Sequence, residues 1–512
     1  MFPESPDPAG SEFRNRERSA ELQFGVHREP QRADLEIGAP PQPHARLTRT
    51  RREFIRDAAC GFGGLALTAL LHEEQARAGA INPLAARAAH LPAKARAVIF
   101  LYMAGGPSHL ETFDPKPLLN QLAGQSRPKE FGEAKYQFIK SGAKLMGTRR
   151  TFQKHGKSGI EVSDLFPHTA TCVDELAVIR SCLGDAVVHS AAQYELFSGR
   201  VTPGFPSMGA WMLYGLGSES RSLPGYVVMP DPAGALEGGQ PMFMHGFLPA
   251  AFQPTMFRPG GQPVLNLNLP ASVSLAQRER TLRLIRELNQ ATLPKDDFEF
   301  DARINSYDLA FKMQTEAPAV LDLSREPQET RDLYGIGQPR TNDYGRRCLL
   351  ARRLIEKGVR FVTVVAGGGA GNLQWDAHND IEENHLRKAA ETDLPIAGLL
   401  KDLKRRGLLD STLVVWGGEF GRSPEAESGK GRDHHNLGFS MWLAGGGVKG
   451  GTIVGATDPI GLRAIEQPHH FRDIHATILH QLGLDQHKLT YPHLGRDERL
   501  TFIEGEVIGE IV

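Results

Sequence analysis

The chain has 512 residues, 40% apolar and 23% charged, with a formal net charge of -1; this is the balance of an ordinary soluble globular protein of one large or two ordinary domains. A neutral balance with no basic tract in the body of the chain gives no footprint for nucleic acid. Of four cysteines, Cys60 lies in the amino-terminal region, and Cys172, Cys182 and Cys348 are too few for a disulfide framework. They read either as buried thiols or as a Cys172–Cys182 bridge in an oxidising compartment.

Residues 1–49 are rich in Pro, Arg, Glu and Gln without apolar patterning, the composition of a disordered extension. Thr50-Arg51-Arg52-Glu53-Phe54-Ile55-Arg56 then precedes a weakly apolar run, Ala58 to Leu71, and Ala76-Arg77-Ala78. Charged region, short apolar core and small residues for cleavage are the layout of a twin-arginine export signal over residues 50–78. This predicts passage through the twin-arginine translocase to a periplasmic or extracellular location. It predicts no stable membrane span, because roughly 14 apolar residues fall short of the ~20 a bilayer requires.

From about residue 96 the pattern changes. Ala97–Met103 is a continuous apolar run ending in Gly105-Gly106-Pro107, and similar runs recur at 176–179, 226–229, 361–365, 412–416 and 439–443. Such runs read as buried parallel strands. Helical spacing of apolar residues marks 275–289, 343–357, 382–406 and 471–482. Strands alternating with helices predict an α/β fold, a three-layer sandwich with a mainly parallel central sheet, over residues 96–512. Residues 232–294, poor in polar clusters, are a candidate capping insertion.

In such sheets active sites collect at the carboxyl ends of the strands, and polar clusters follow four of the runs. They are Ser108–Lys116 with His109 and Asp114, Trp375–Asp380 with Asp376 and His378, Gly417–Arg422 with Glu419, and Gly431–Asn436 with Asp433, His434 and His435. Imidazole and carboxylate together are ligands for a divalent metal, whether zinc, manganese or calcium. Each cluster also has a plainer reading. Asp376 reads as a helix cap or a ligand, Asp433-His434-His435 as a solvated loop or a ligand pair, and Asp114-Pro115-Lys116 as a turn. His469, His470 and His475 flank the last helical stretch and read as packing or surface histidines. His155-Gly156-Lys157-Ser158 lacks the glycine spacing of a phosphate loop, and Gly445–Gly450 runs into a strand rather than a helix.

These segments resemble a family of exported proteins, domain of unknown function 1501, related to the alkaline phosphatase and sulfatase superfamily. The resemblance rests on the twin-arginine segment, Gly105–His109 with Phe113–Pro117, Ser163–His168, Pro206–Trp211, Leu223–Val228, Trp375–His378, Glu419–Arg422 and Gly431–Asn436. It implies an alkaline phosphatase-like or sulfatase-like fold and metal-assisted cleavage of phosphate or sulfate esters. By motif, Asp376 and His378 form one ligand pair, Glu419 with His434 or His435 supply further ligands, and His109 and Asp114 occupy the first metal loop, which lacks an acid directly after its strand. His189–Arg200 resembles the nucleophile loop, which makes Ser190 a candidate nucleophile; it reads equally as a helix cap. No Cys-x-Pro-x-Arg or Cys-x-Ala-x-Arg occurs, which excludes formylglycine on that motif.

Phosphate-monoester cleavage is accelerated by enzymes up to ~10²¹-fold, far beyond the ~10²–10⁴-fold of one acid or base, so a metal is expected. Arg422 would pair with ester oxygens through its planar fork, and the substrate would be a small-molecule or polysaccharide ester. The rival expectation is a catalytically degenerate envelope polysaccharide-binding or structural protein of the same fold. Sugar-phosphate mutase chemistry fits poorly with export.

Overall fold

The apolar run after residue 96 forms strand β1, Ala97–Met103, buried along its whole length. Its β-branched and aromatic residues suit a sheet covered on both faces. The computed structural model describes residues 83–512 apart from 140–141, 259–262, 265–266, 268, 271 and 293–297. The expected extension 1–49 and export signal 50–78 lie outside the described residues.

Further along the chain lie β2 (Leu176–Leu183), β3 (Tyr226–Met229), β4 (Thr255–Met256), β5 (Phe361–Ala366) and β6 (Thr412–Gly417). They are followed by β7 (Gly421–Ala426), β8 (Arg432–His435), β9 (Phe439–Ala444), β10 (Thr452–Val454) and β11 (His469–His470). Nine of them form one sheet in the order β10-β2-β9-β6-β1-β5-β3-β4, with β11 beside β2. β1 pairs in parallel with both β5 and β6. Only β9 runs antiparallel, between β2 and β6, so the sheet is mainly parallel, as the sequence predicts. β7 and β8 pair as a separate antiparallel ribbon.

Successive side chains of β1 point to opposite faces, and the core divides accordingly. Ile99, Leu101 and Met103 pack with residues of α4 (Asn342–Glu356) and α5 (Ile381–Arg405), such as Leu349, Leu354, Leu399 and Leu403. Val98, Phe100 and Tyr102 pack with Trp211 of α2 (Met208–Leu216) and Ile474 and Ile478 of α6 (Phe471–Gln481). The remaining labelled helices are α1 (His189–Ser198), before α2, and α3 (Leu275–Thr292), between α2 and α4. Helix, sheet and helix make the three layers.

Two details position the site. α5 is capped by Asp380, whose side chain accepts from Glu383 N at 3.1 Å; the cap belongs to Asp380, and Asp376 is left for another role. After β1 the chain turns at Gly105 and Gly106 with φ of +100° and +74°, and a Cβ on Gly105 would lie 2.6 Å from Asp376 N. Only glycine combines that conformation with that approach.

Cys172, Cys182 and Cys348 are free and buried, so the Cys172–Cys182 bridge is not formed. Among the described residues no helix is long and apolar enough to cross a membrane.

Candidate metal centre

Four side chains meet at the carboxyl edge of the sheet: His189, Asp376, His378 and His434, whose ligating atoms all lie within 4.8 Å of one another. His189 is the first residue of α1. Asp376 and His378 follow β5, and His434 sits on β8. The three Nε2 atoms gather round one oxygen. Asp376 Oδ1 is 2.8 Å from His378 Nε2 and 3.3 Å from both His434 Nε2 and His189 Nε2.

The far side of each ring fixes its tautomer. His189 Nδ1 is 2.7 Å from Glu419 Oε1, His378 Nδ1 bonds Glu427, and His434 Nδ1 is 2.8 Å from the Val187 carbonyl. Carboxylates and carbonyls only accept, so each Nδ1 donates and each neutral Nε2 turns a lone pair inward. His378 Nε2 and His434 Nε2 are 2.9 Å apart, and His189 Nε2 is buried without an aligned hydrogen-bond partner. Such an arrangement is repulsive until a proton or a cation enters it. Zinc bonds of 2.0–2.1 Å in a tetrahedron set ligand atoms about 3.3 Å apart, close to the spacing seen here. The donor set fits a divalent ion, and the acceptors behind the rings are the supporting partners metal-bound histidines ordinarily have.

The charges agree. Burial opposes charging His189, yet Asp376 and Glu419 outweigh it and push the imidazole up to about 9. Burial lowers His434 to about 4. His378 is raised, burial being overcome by Asp376. Asp376 is held far below the carboxylate range; against the effect of burial, Arg422 and the three imidazoles keep it ionised. Without a metal His189 holds a proton at neutral pH, and a cation would displace it.

Of the residues expected as ligands, Asp376, His378 and His434 come together. Glu419 stands behind His189, fully buried, and accepts from Tyr102 Oη and Gly105 N, both at 3.0 Å; it orients the His189 ring rather than joining the four. His435 is one residue from His434 on a strand and so faces the other way, bonding the Leu462 carbonyl. His109 bonds the Gly461 carbonyl at 2.9 Å. Asp114 pairs with Lys116 at 2.9 Å and with Thr457. These three are structural partners elsewhere in the fold.

Ser190 lines the pocket of about 440 Å³ in front of the cluster, with Gln137, Phe138, Val188, Glu237 and Glu427 among its neighbours. Arg422 does not. It is fully buried, its Nη2 is 2.7 Å from Asp376 Oδ1 and its Nε 3.0 Å from the Gly106 carbonyl, so it holds Asp376 and offers no face to an ester. The 232–294 segment contributes Glu237 to the wall; part of it lies outside the described residues.

Sequence reasoning missed His189, and it missed Glu427 and Glu237. The signal for His189 was available: it follows the β2 run as the other histidines follow theirs. Another trio, Asp185, Glu195 and His470, is of a different kind. His470 Nδ1 accepts the Arg472 N–H at 3.3 Å, so its Nε2 carries the proton shared with Glu195 and Asp185, at 3.2 and 3.3 Å. That is a neutral imidazole capping α6, with its remaining N–H turned toward two carboxylates.

Residues 95–512 match the family described as protein of unknown function DUF1501. The chain belongs to this family. No curated protein matches the sequence. Among solved structures the chain is similar to the PsFucS1 sulfatase from Pseudoalteromonas sp., at 12% identity over 80% of this chain and 70% of that one, with a TM-score of 0.34. It is similar to the lipoteichoic acid synthase LtaP from Listeria monocytogenes at 8% identity over 78% and 76%, TM-score 0.32. It is also similar to alkaline phosphatase from the Antarctic bacterium TAB5 at 10% identity over 69% and 92%, TM-score 0.27. These likenesses are remote, and the chemistry rests on the site's own residues.

Proposed function

We propose that this DUF1501 protein is exported by the twin-arginine route and works as a metal-dependent hydrolase of phosphate or sulfate esters, without formylglycine. The observation that carries the reading is the convergence of Asp376 Oδ1 and three inward-facing Nε2 atoms at the floor of an open pocket. His189, Asp376, His378 and His434 would hold the ion. A divalent cation bound there supplies polarisation of the ester and neutralises its oxygens. Arg422 keeps Asp376 ionised and in place, and Glu419, Glu427 and the Val187 carbonyl hold the three rings in one tautomer. Ser190, in the first turn of α1 and on the pocket wall, offers a hydroxyl nucleophile; water is the other candidate.

A second reading has one observation in its favour. Four protein ligands complete a tetrahedral shell, the pattern of structural rather than catalytic zinc, which suits a degenerate fold that binds envelope polysaccharide. Metal analysis of the purified protein, followed by hydrolysis assays on aryl phosphate and aryl sulfate, separates the two. Stoichiometric metal with turnover lost in Asp376→Ala supports the hydrolase. Stoichiometric metal with no turnover of either ester supports the binding protein, and protein without metal ends both.

A further inference from the structure

The pocket in front of the four ligands holds more negative charge than its cation cancels. Asp376, Glu237 and Glu427 line it, and among the described lining residues there is no lysine or arginine. The guanidinium of Arg422 is spent on Asp376 at 2.7 Å and lies off the wall. Glu237 accepts from Gln193 Nε2 at 3.1 Å and Gln374 Nε2 at 2.8 Å, neutral amides that fix the carboxylate without cancelling its charge. Glu419 adds a further carboxylate behind His189. With Arg422 set against Asp376, and a divalent ion against two of the three glutamates, one negative charge is left over. A like charge brought within a few ångströms in a partly desolvated cleft is disfavoured, and a doubly charged guest twice as strongly.

The rest of the wall suits a guest of low charge. Gln137 and Ser190 provide neutral polar groups. Phe138 and Val188, 49% and 45% exposed, form an apolar rim. Phe138 stands edge-on to His378 and His434, with ring centroids at 5.2 and 5.8 Å, and Asp433 Oδ2 anchors its backbone N–H at 2.6 Å. The rim is therefore built, with room for the apolar face of a ring.

We infer that this site takes a monoanionic tetrahedral ester, a phosphodiester or a sulfate monoester, in preference to the dianion of a phosphate monoester. The inference rests on the hydrolase reading for its chemistry, but charge selection can be read from binding alone.

The test is calorimetric titration of zinc-loaded protein at pH 8 with phenyl phosphate, phenyl sulfate and diphenyl phosphate. At that pH phenyl phosphate is a dianion, its second pKa being about 6. At least one monoanion should bind about 10-fold more tightly than phenyl phosphate, and the tighter of the two tells sulfate from diester. Glu237→Gln should tighten phenyl phosphate about 10-fold and change the monoanions less. Equal or tighter binding of phenyl phosphate by the unaltered protein overturns the inference, whether or not the variant folds. So does a failure of all three to bind, or a Glu237→Gln effect that is the same for all. Binding in the expected order without turnover of any ester would sink the hydrolase and leave charge selection as the property of a binding site.

Discussion

His378 Nε2 and His434 Nε2 face each other at 2.9 Å while the opposite nitrogen of each ring donates to a fixed acceptor. Two inward lone pairs at that distance need a positive charge between them. The neighbouring His435 makes a control. His434→Ala should abolish stoichiometric metal in elemental analysis, whereas His435→Ala should keep the metal and lose about 1–3 kcal/mol of stability for the orphaned Leu462 carbonyl.

Glu419 acts through His189. Glu419→Ala frees the ring and removes the acceptor shared by Tyr102 and Gly105. Metal affinity, measured by competition with a chelator, should weaken roughly 10–100-fold without vanishing. Complete loss of metal would place Glu419 among the ligands instead.

Arg422→Ala leaves Asp376 without its buried partner and exposes the Gly105 and Gly106 carbonyls to a void. Breaking such a pair costs about 3–5 kcal/mol. Because a bound cation also compensates Asp376, added zinc should restore part of the melting temperature of the variant. A variant as stable as the parent without zinc would refute the role given to Arg422.

His475 is buried on α6 with its Nε2 2.7 Å from the Leu196 carbonyl, and burial lowers it to about 4. Its unfolded value is near 6.5. Above pH 6.5 both states are neutral and nothing is lost. Between pH 6.5 and 4 the unfolded chain takes up a proton that the folded one refuses, so stability falls as pH falls, by at most about 3 kcal/mol. Urea titrations at pH 7 and pH 5 should show a smaller drop for His475→Gln than for the parent.

The layers were legible in the sequence. Apolar runs such as Ala97–Met103 and 361–365, the second broken only by Thr363, are buried on both faces, and the helical spacing of 382–406 appears as α5 with an error of one residue at each end. These signals are local, so they survive without tertiary information. The sequence also pointed to the strand ends, because carboxylates and histidines gather there. What it could not supply was direction. Only the folded arrangement turns His434 in and His435 out, sets Glu419 against His189 and Arg422 against Asp376, and brings His189 from a different crossover to complete the set. It decided likewise that Asp380 caps the helix and so leaves Asp376 for the cluster. The reason is physical: a ligand is defined by where an atom points within a few tenths of an ångström, and that depends on strand pairing, turn geometry at Gly105 and partners hundreds of residues away.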